Sequence, residues 1–192
     1  MQRTLKVAGV VAFVAALGGF SLAHRSAGAA SRSAPPLPTP ADGHAIHVLA
    51  PHVVDGQVMG PYHHYCKVIS PEPFIECLIY ESTDSNATLK QIEYIVAKTV
   101  TRTDLIPLDV WNRNWHDHFQ EIATGRVQVL DLPPDQAKSV ADLVATTDGI
   151  IFHLWYPHGA KVPNGRTSIA QSVGHVNITA QGKFMHRKPA GN

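Results

Sequence analysis

The fold is decided by two neighbouring runs, Cys77-Leu-Ile-Tyr-Glu-Ser82 and Leu89-Lys-Gln-Ile-Glu-Tyr-Ile-Val-Ala97. Both are rich in branched and aromatic residues, and Thr83-Asp84-Ser85-Asn86 between them has the composition of a turn, so together they predict a β-hairpin. Because side chains alternate across a strand, Glu93 falls on the same face as Ile95. Glu93 is therefore expected in partly apolar surroundings.

The rest of the chain adds further strands and one clear helix. Residues 121–130 predict a second hairpin that turns at Thr124-Gly125, and residues 149–156 are nearly all apolar, which is typical of a central strand covered on both faces. Residues 134–145 have one apolar stripe and Asp135 in the first turn, as an amphipathic helix does. Several strands with one or two helices, not strictly alternating, predict a single α+β domain with a mostly antiparallel β-sheet.

Composition excludes several classes of protein. The chain has 192 residues, 44% hydrophobic and 16% charged, with a formal charge of +1, so it can bury a core and is not of the disordered class. No basic run is present, which argues against a nucleic-acid partner. The sequence also lacks the glycine-rich nucleotide-binding loops and the G-x-S-x-G elbow, so we predict neither a nucleotide ligand nor serine-hydrolase chemistry.

The first thirty residues have the layout of a secretory signal peptide. A short basic start is followed by an apolar stretch that ends in the small residues Ala27-Gly28-Ala29-Ala30. This layout predicts that residues 1–30 are a signal peptide that is cleaved off, and that the protein is periplasmic or secreted. An uncleaved membrane anchor is the alternative, because the apolar stretch reaches the short limit for a membrane span. Residues 31–44 are predicted to be a Pro-rich flexible linker, 45–177 the domain and 178–192 a loose tail.

The densest group of chemically capable side chains is Trp115-His-Asp-His-Phe-Gln-Glu121. If residues 116–118 are extended, His116 and His118 point to the same face about 7 Å apart, and a metal ion could be shared between them. His-x-His followed by Glu is similar to the metal motif of cupin barrels, although the spacing to Glu121 is shorter here and the preceding glycine is absent. In a regular strand Glu121 faces away from both histidines and would join them only through a β-bulge.

Other residues are candidates for the same site. His63 and His64 lie on opposite faces if extended, so at most one of them enters it. His153 stands in an apolar strand, where a buried imidazole needs a hydrogen-bond partner or a metal, and Glu93 could supply a carboxylate ligand or act as an acid or base. The structural alternatives stay open: His153 as a hydrogen-bonded core residue, Glu93 as an ion-paired strand residue, and solvated histidines at 63 and 64. The predicted metal-ligand set is His116, His118, His64, Glu93, Glu121 and His153, without an assigned catalytic residue.

The chain has two cysteines, Cys66 and Cys77. In an exported protein such a pair suggests one disulfide. Two free buried thiols are an alternative, and Cys66 as a nucleophile beside His64 is another.

These segments, in this order, resemble the oil-body-associated protein family, a group found in plants, fungi and bacteria whose biochemical activity is not established. The resemblance covers about residues 52–165. The matching motifs are His63-His-Tyr-Cys66, Glu76-Cys-Leu-Ile-Tyr-Glu-Ser82, Ile92-Glu-Tyr-Ile-Val96, Trp115-His-Asp-His118 with Glu121, and Phe152-His-Leu-Trp155. Plant members associate with seed lipid droplets, which implies an apolar or amphipathic docking surface. The predicted export signal departs from that pattern, so an oil-body location is not carried over.

Two hypotheses of different classes follow. In the first, the protein is an exported metal-binding domain that holds one transition metal ion and extends to a metal-dependent enzyme; imidazole with carboxylate suits zinc, iron, nickel or manganese. In the second, it is a non-catalytic protein of a lipid surface or the cell envelope, and its histidines are structural. The sequence makes no prediction of oligomeric state.

Overall fold

Eight strands and five helices make up the regular structure of residues 42–184, the part of the chain that the computed structural model describes. The strands are β1 (Ile46–Val54), β2 (Gln57–Ser70), β3 (Phe74–Tyr80), β4 (Leu89–Ala97), β5 (Trp115–Asp117), β6 (Gln128–Leu130), β7 (Thr147–His153) and β8 (Ser168–Ser172). The helices are α1 (Lys98–Thr101), α2 (Leu108–Asn114), α3 (His118–Ala123), α4 (Pro134–Val144) and α5 (Ala180–Phe184). The predicted signal peptide and most of the predicted linker lie outside the described residues.

The hairpin predicted from the two deciding runs is confirmed. β3 and β4 pair antiparallel with Cys77 opposite Glu93, and every second residue of β4 is buried, including Glu93 and Ile95. The alternation puts the carboxylate of Glu93 on the apolar inner face of the sheet. The apolar run at 149–156 also contains a strand as predicted, because β7 pairs with β4 on one side and with β8 on the other.

The mostly antiparallel sheet of the prediction closes into a barrel. β2, β3, β4, β7, β8 and β1 follow one another in hydrogen-bonded order, and β1 also pairs with β2, so six strands form a ring. The closing contact between β1 and β8 is short and includes the pair His52 and Ser172. The inner faces of the ring enclose an apolar core that includes Ile79, Ile95 and Ile151.

The predicted helix is present in the structure, and the predicted second hairpin is not. The helix predicted at 134–145 is confirmed as α4, but the described chain has four further helices of seven residues or fewer. The hairpin predicted at 121–130 is wrong. Glu121 lies in α3, and Val129 of β6 pairs with Val48 of β1 instead of with its own neighbours, because the capped start of α3 takes residues 118–123 out of the extended state.

The two cysteines form a disulfide bond. Cys66 of β2 and Cys77 of β3 lie directly opposite one another, and their sulfurs are bonded. This confirms the first of the three alternatives and excludes Cys66 as a free nucleophile. The bridge lies in the apolar core of the barrel.

Residues 178–184, part of the predicted tail, contact the domain. The side chain of Asn112 bonds the backbone of Ile178 in both directions, and Lys183 of α5 donates to the carbonyl of Ile106. In the described residues no helix is long and apolar enough to cross a membrane.

Candidate metal centre

A change from strand to helix places the two histidines of the His-x-His motif. β5 ends at Asp117, whose carboxylate accepts a hydrogen bond from the backbone N–H of Phe119 at 2.9 Å and so caps α3. A side-chain cap of this kind satisfies a backbone N–H group left free in the first helical turn. His116 therefore comes from a strand and His118 from a helix, and their ring centroids are 4.8 Å apart.

Glu121 reaches the histidines by a route that the sequence prediction missed. The expected β-bulge is wrong: because α3 begins at His118, Glu121 lies three residues further along the same helical face. Its Oε2 is 3.7 Å from Nε2 of His116 and 3.8 Å from Nε2 of His118.

Glu93 lies between these groups. Its Oε1 is 3.2 Å from Nε2 of His116 and 3.1 Å from Nε2 of His118. The side chains of Glu93, His116, His118 and Glu121, which we call the His/Glu cluster, are all at least 95% buried. One ligand atom from each of Glu93, His116 and His118 fits within a group 4.8 Å across, the kind of spacing that a bound metal ion requires.

His64 is the histidine of its pair that faces inward. It lies on β2 with Nε2 at 3.7 Å from Oε2 of Glu93, whereas His63 points to the outer face and contacts His47. His64 also contacts His52, with 3.1 Å between the two Nε2 atoms.

His153 does not reach the cluster. Its Nδ1 accepts a hydrogen bond from the side-chain amide of Gln91 at 3.2 Å, and the other end of Gln91 bonds Nδ1 of His52 at 2.6 Å. His153 is thus connected to His64 only through two intermediate residues. His52 and Gln91 were not in the predicted set: alternation places Gln91 on the same face as Glu93, but no strand was predicted at β1, and the register that brings His52 to Gln91 is not local in the sequence.

The hydrogen bonds at the back of His118 fix the orientation of its ring. The hydroxyl of Thr147 donates to the carbonyl of Val144 at 2.6 Å, so its oxygen accepts from His118 Nδ1, 3.1 Å away. Nε2 of His118 therefore faces the carboxylate oxygen of Glu93, at 3.1 Å.

His64 and His52 show the same arrangement. Nδ1 of His64 donates to the backbone carbonyl of Tyr62 at 3.1 Å, and Nδ1 of His52 donates to the side-chain carbonyl of Gln91. The Nε2 atoms of these two rings face one another, and Nε2 of His64 also lies 3.7 Å from Glu93. Imidazole nitrogens and a carboxylate thus converge on one buried space, an arrangement that a bound cation would stabilise.

The pKa values of the two carboxylates of the cluster are shifted in opposite directions. Burial alone would raise the pKa of Glu93, but hydrogen bonding and positive charge from His116 and His118 hold that pKa well below its usual range. Burial raises the pKa of Glu121 to about 7. Burial also lowers the pKa of His52 to about 3 and lowers the pKa of His64, so both rings are neutral near pH 7.

Position 149 beside the cluster requires glycine, because side-chain atoms of the cluster approach its backbone closely. It lies opposite His116 in the β5–β7 pair, and a Cβ atom at this position would lie 2.5 Å from His116 Nε2 and closer still to Oε1 of Glu93. A glycine inside an apolar strand is the sequence signal for such an approach, but it does not identify the approaching groups.

A buried ion network holds β5 against β7 behind the cluster. Asp148 is fully buried, and its carboxylate accepts from Arg102 at 2.7 and 3.0 Å and from the indole N–H of Trp111 at 3.0 Å. Arg102 also bonds Asp117, which in turn bonds Lys98 at 2.6 Å. Burial would raise the pKa of Asp117, but hydrogen bonds from Lys98 and Arg102 lower it. The residue that caps α3 is therefore fixed as an anion.

Glu121 gives a pH dependence with a definite sign. Its folded-state pKa of about 7 exceeds the ordinary value of 4.5, so the folded chain keeps a proton that the unfolded chain releases between these values. We expect Glu121 to destabilise the metal-free protein increasingly as the pH rises from about 4.5 to 7, by about 3 kcal/mol in total. Urea unfolding of the wild type and of Glu121→Gln in chelator, at several pH values, measures the difference. Parallel curves for the two proteins would contradict this assignment.

Comparison with known proteins identifies relatives by sequence. A family described as protein of unknown function (DUF1264) matches residues 39–189. The chain is 32% identical over 125 residues to oil body-associated protein 1B of Arabidopsis thaliana, 65% of this chain and 48% of that protein. It is 29% identical over 111 residues to oil body-associated protein 2A of Zea mays, 57% of this chain and 42% of that protein. The aligned part is thus about half the length of these relatives or less, and no solved structure matches the chain.

Proposed function

The chain belongs to the DUF1264 family, with the oil body-associated proteins among its relatives, and for this member we propose a metal-binding function centred on the His/Glu cluster. The observation that supports the proposal most directly is that buried side chains turn their ligand atoms toward one point. His118 donates from Nδ1 to Thr147, which leaves Nε2 facing a carboxylate oxygen of Glu93 at 3.1 Å, and Nε2 of His116 lies 3.2 Å from the same oxygen. A metal ion would take the place of the protons that join these rings to Glu93.

The donor set favours a transition metal. His116 and His118 supply imidazole nitrogens, and Glu93 and Glu121 supply carboxylate oxygens, a mixture that suits zinc, iron, nickel or manganese. The hydrogen bond from His118 Nδ1 to Thr147 is the kind of support from behind that orients a ligating histidine. His64 stands near enough to Glu93 to complete the set.

The cluster also supports a metal-dependent enzyme as the extension of this proposal. Catalytic metal ions are commonly held by three protein ligands and keep a further position for an exogenous molecule. Glu93, His118 and Glu121 also line the cavity of the barrel, so an exogenous molecule in the cavity could reach an ion that they hold. We further propose export to the periplasm or the medium, on the basis of the signal-like residues 1–30.

Elemental analysis of the untagged protein, purified after export without chelator, tests the metal. We expect about one equivalent of a single transition metal in the wild type, and loss of that metal in His116→Ala His118→Ala. His63→Ala is the matched control, because this histidine lies on the opposite face of β2 and should leave the metal content unchanged. The intact mass of the same sample tests removal of the signal peptide. A folded wild type that takes up no metal on addition of zinc, iron, nickel or manganese would overturn the proposal.

A second candidate function is association with a lipid surface. The end of β2 and the start of β3, on either side of their turn, present three large apolar side chains to solvent, Val68, Ile69 and Phe74, each between 37% and 48% exposed. A cluster of this kind suits insertion at a membrane interface, and several relatives are named for oil-body association. If this surface is used, the protein should float with neutral vesicles and Ile69→Ser Phe74→Ser should not. Failure of the wild type to float would remove this candidate.

A further inference from the structure

We infer that the interior of the barrel binds a short, unbranched aliphatic molecule whose single polar group is an uncharged oxygen. The inference deepens the proposed function: the oxygen end relies on the metal centre, whereas the aliphatic end relies on the cavity alone. Three properties of the cavity support the inference: its walls, its size and its charge.

The walls are apolar except at one end. β1 contributes Ile46, Val48 and Ala50, and α4 contributes Val140 and Val144. The polar lining is supplied by residues already described at the metal centre: His52, His64, Glu93, His118 and Glu121. A pocket with an apolar length and a few polar groups at its end suits a ligand with one polar head.

The size of the cavity favours a slim ligand. Its volume is about 40 Å³, room for roughly three water molecules at the 10 to 15 Å³ that each requires. An unbranched chain of a few carbons fits such a space, whereas a ring or a branched chain would force the walls apart.

The charge of the cavity favours an uncharged head. No lysine or arginine is among the described residues that line it, but two carboxylates, Glu93 and Glu121, are. The two positive charges of a divalent cation would balance the negative charges of both carboxylates and leave no positive charge over. A carboxylate ligand would therefore add a buried negative charge without a partner, at a large cost in free energy. An alcohol or aldehyde oxygen adds none.

Helix α4 makes it possible to test the chain end without changing the metal ligands. Its wall residues are held in place by backbone contacts beyond the cavity: Thr147 donates to the carbonyl of Val144, and Lys98 donates to the carbonyl of Ala145 at 2.8 Å. Substitutions at Val140 and Ala141 should therefore change the length of the cavity and leave the His/Glu cluster intact.

The experiment is a series of NMR titrations of zinc-loaded and metal-free protein with linear 1-alkanols from ethanol to 1-hexanol. We expect affinity to rise about fourfold for each added methylene until the cavity is full, and then to stop rising. Propanoate should bind at least tenfold more weakly than 1-propanol. Affinity that does not depend on chain length, or equal binding of propanoate, would overturn the inference.

Variants of α4 provide the matched controls. In Val140→Ala, the chain length at which affinity stops rising should be longer by at least one carbon. In Ala141→Leu, it should be shorter. Ala137→Leu carries the same substitution one turn away, at a residue that does not line the cavity, and should leave the series unchanged. An unchanged series in folded Val140→Ala would overturn the inference even if Ala141→Leu did not fold.

The two proposals fail differently. If zinc binds but the alkanols do not, the metal centre stands and the cavity ligand is wrong. If zinc does not bind but metal-free protein still shows the chain-length series, the proposed function fails and the aliphatic part of the inference stands.

Discussion

Replacement of Gly149 by alanine is expected to lower metal affinity about 100-fold while the barrel stays folded. Gly149 does not have a positive φ, so an alanine fits the backbone of β7 without strain. Its Cβ would instead collide with the ligand atoms of Glu93 and His116. These are the ends of side chains, and they should move aside more readily than the strand. The metal centre is then distorted by more than a bound ion tolerates.

Competition with a chromophoric zinc chelator measures this loss, and circular dichroism reports the fold. Gly182→Ala is the matched control, because a Cβ at Gly182 has no contact closer than 3.5 Å and the residue lies in α5, away from the cluster. Unchanged zinc affinity in folded Gly149→Ala would show that the ion, if bound, does not lie between Glu93 and His116.

Replacement of Asp148 by alanine is expected to destabilise the protein by about 3 to 5 kcal/mol. Asp148 is fully buried and binds Arg102 through two hydrogen bonds. Burial would lower the pKa of Arg102, but hydrogen bonds and charge from Asp148 and Asp117 raise it. Asp117 still pairs with Arg102 in the variant, so Arg102 stays charged. The indole N–H of Trp111 also loses its acceptor in the variant. The cost comes from the charge and the donor left behind, more than from the contact removed.

Urea unfolding of Asp148→Ala and Asp148→Asn measures this effect, and the asparagine variant is informative if the alanine variant does not fold. Asp109→Ala is the control: Asp109 pairs with Arg113 on the surface, with both side chains mostly exposed, and its loss should cost less than about 1 kcal/mol. A loss below about 1 kcal/mol for Asp148→Ala would contradict the role that we assign to the network.

Strand alternation made part of the fold predictable. It gave the β3–β4 hairpin and the inward direction of Glu93, because both depend on local sequence only. Closure of the barrel was not predictable, since it depends on β1 pairing with β8 more than a hundred residues away. The composition at Thr124-Gly125 predicts a turn between two strands, but helix α3 precedes this turn, because the side chain of Asp117 caps the helix that begins directly after β5.

The sequence predicts the site only as far as it predicts which face of each strand turns inward. Alternation separates His63 from His64, and only His64 lies near Glu93. The distance from His153 to the cluster depends on Gln91 and His52, and therefore on strand register, which a single sequence does not give. The sequence identifies Glu121 by its chemical type, but it does not show the helical route that brings this residue to His118. The assignment of these residues as metal ligands stays a prediction.

The closing contact of the barrel also determines the order of folding. Hairpins such as β3–β4 join residues close in the chain and can form early, whereas β1 and β8 must bring distant segments together at an entropic cost. During synthesis, His52 and Val53 of β1 can pair with β2, but the edge of β1 that pairs with β8 stays open until the chain has been made through Ser172. We therefore expect closure to be the late, slow step of folding. Before it, strand edges are exposed to pairing with other copies of the chain.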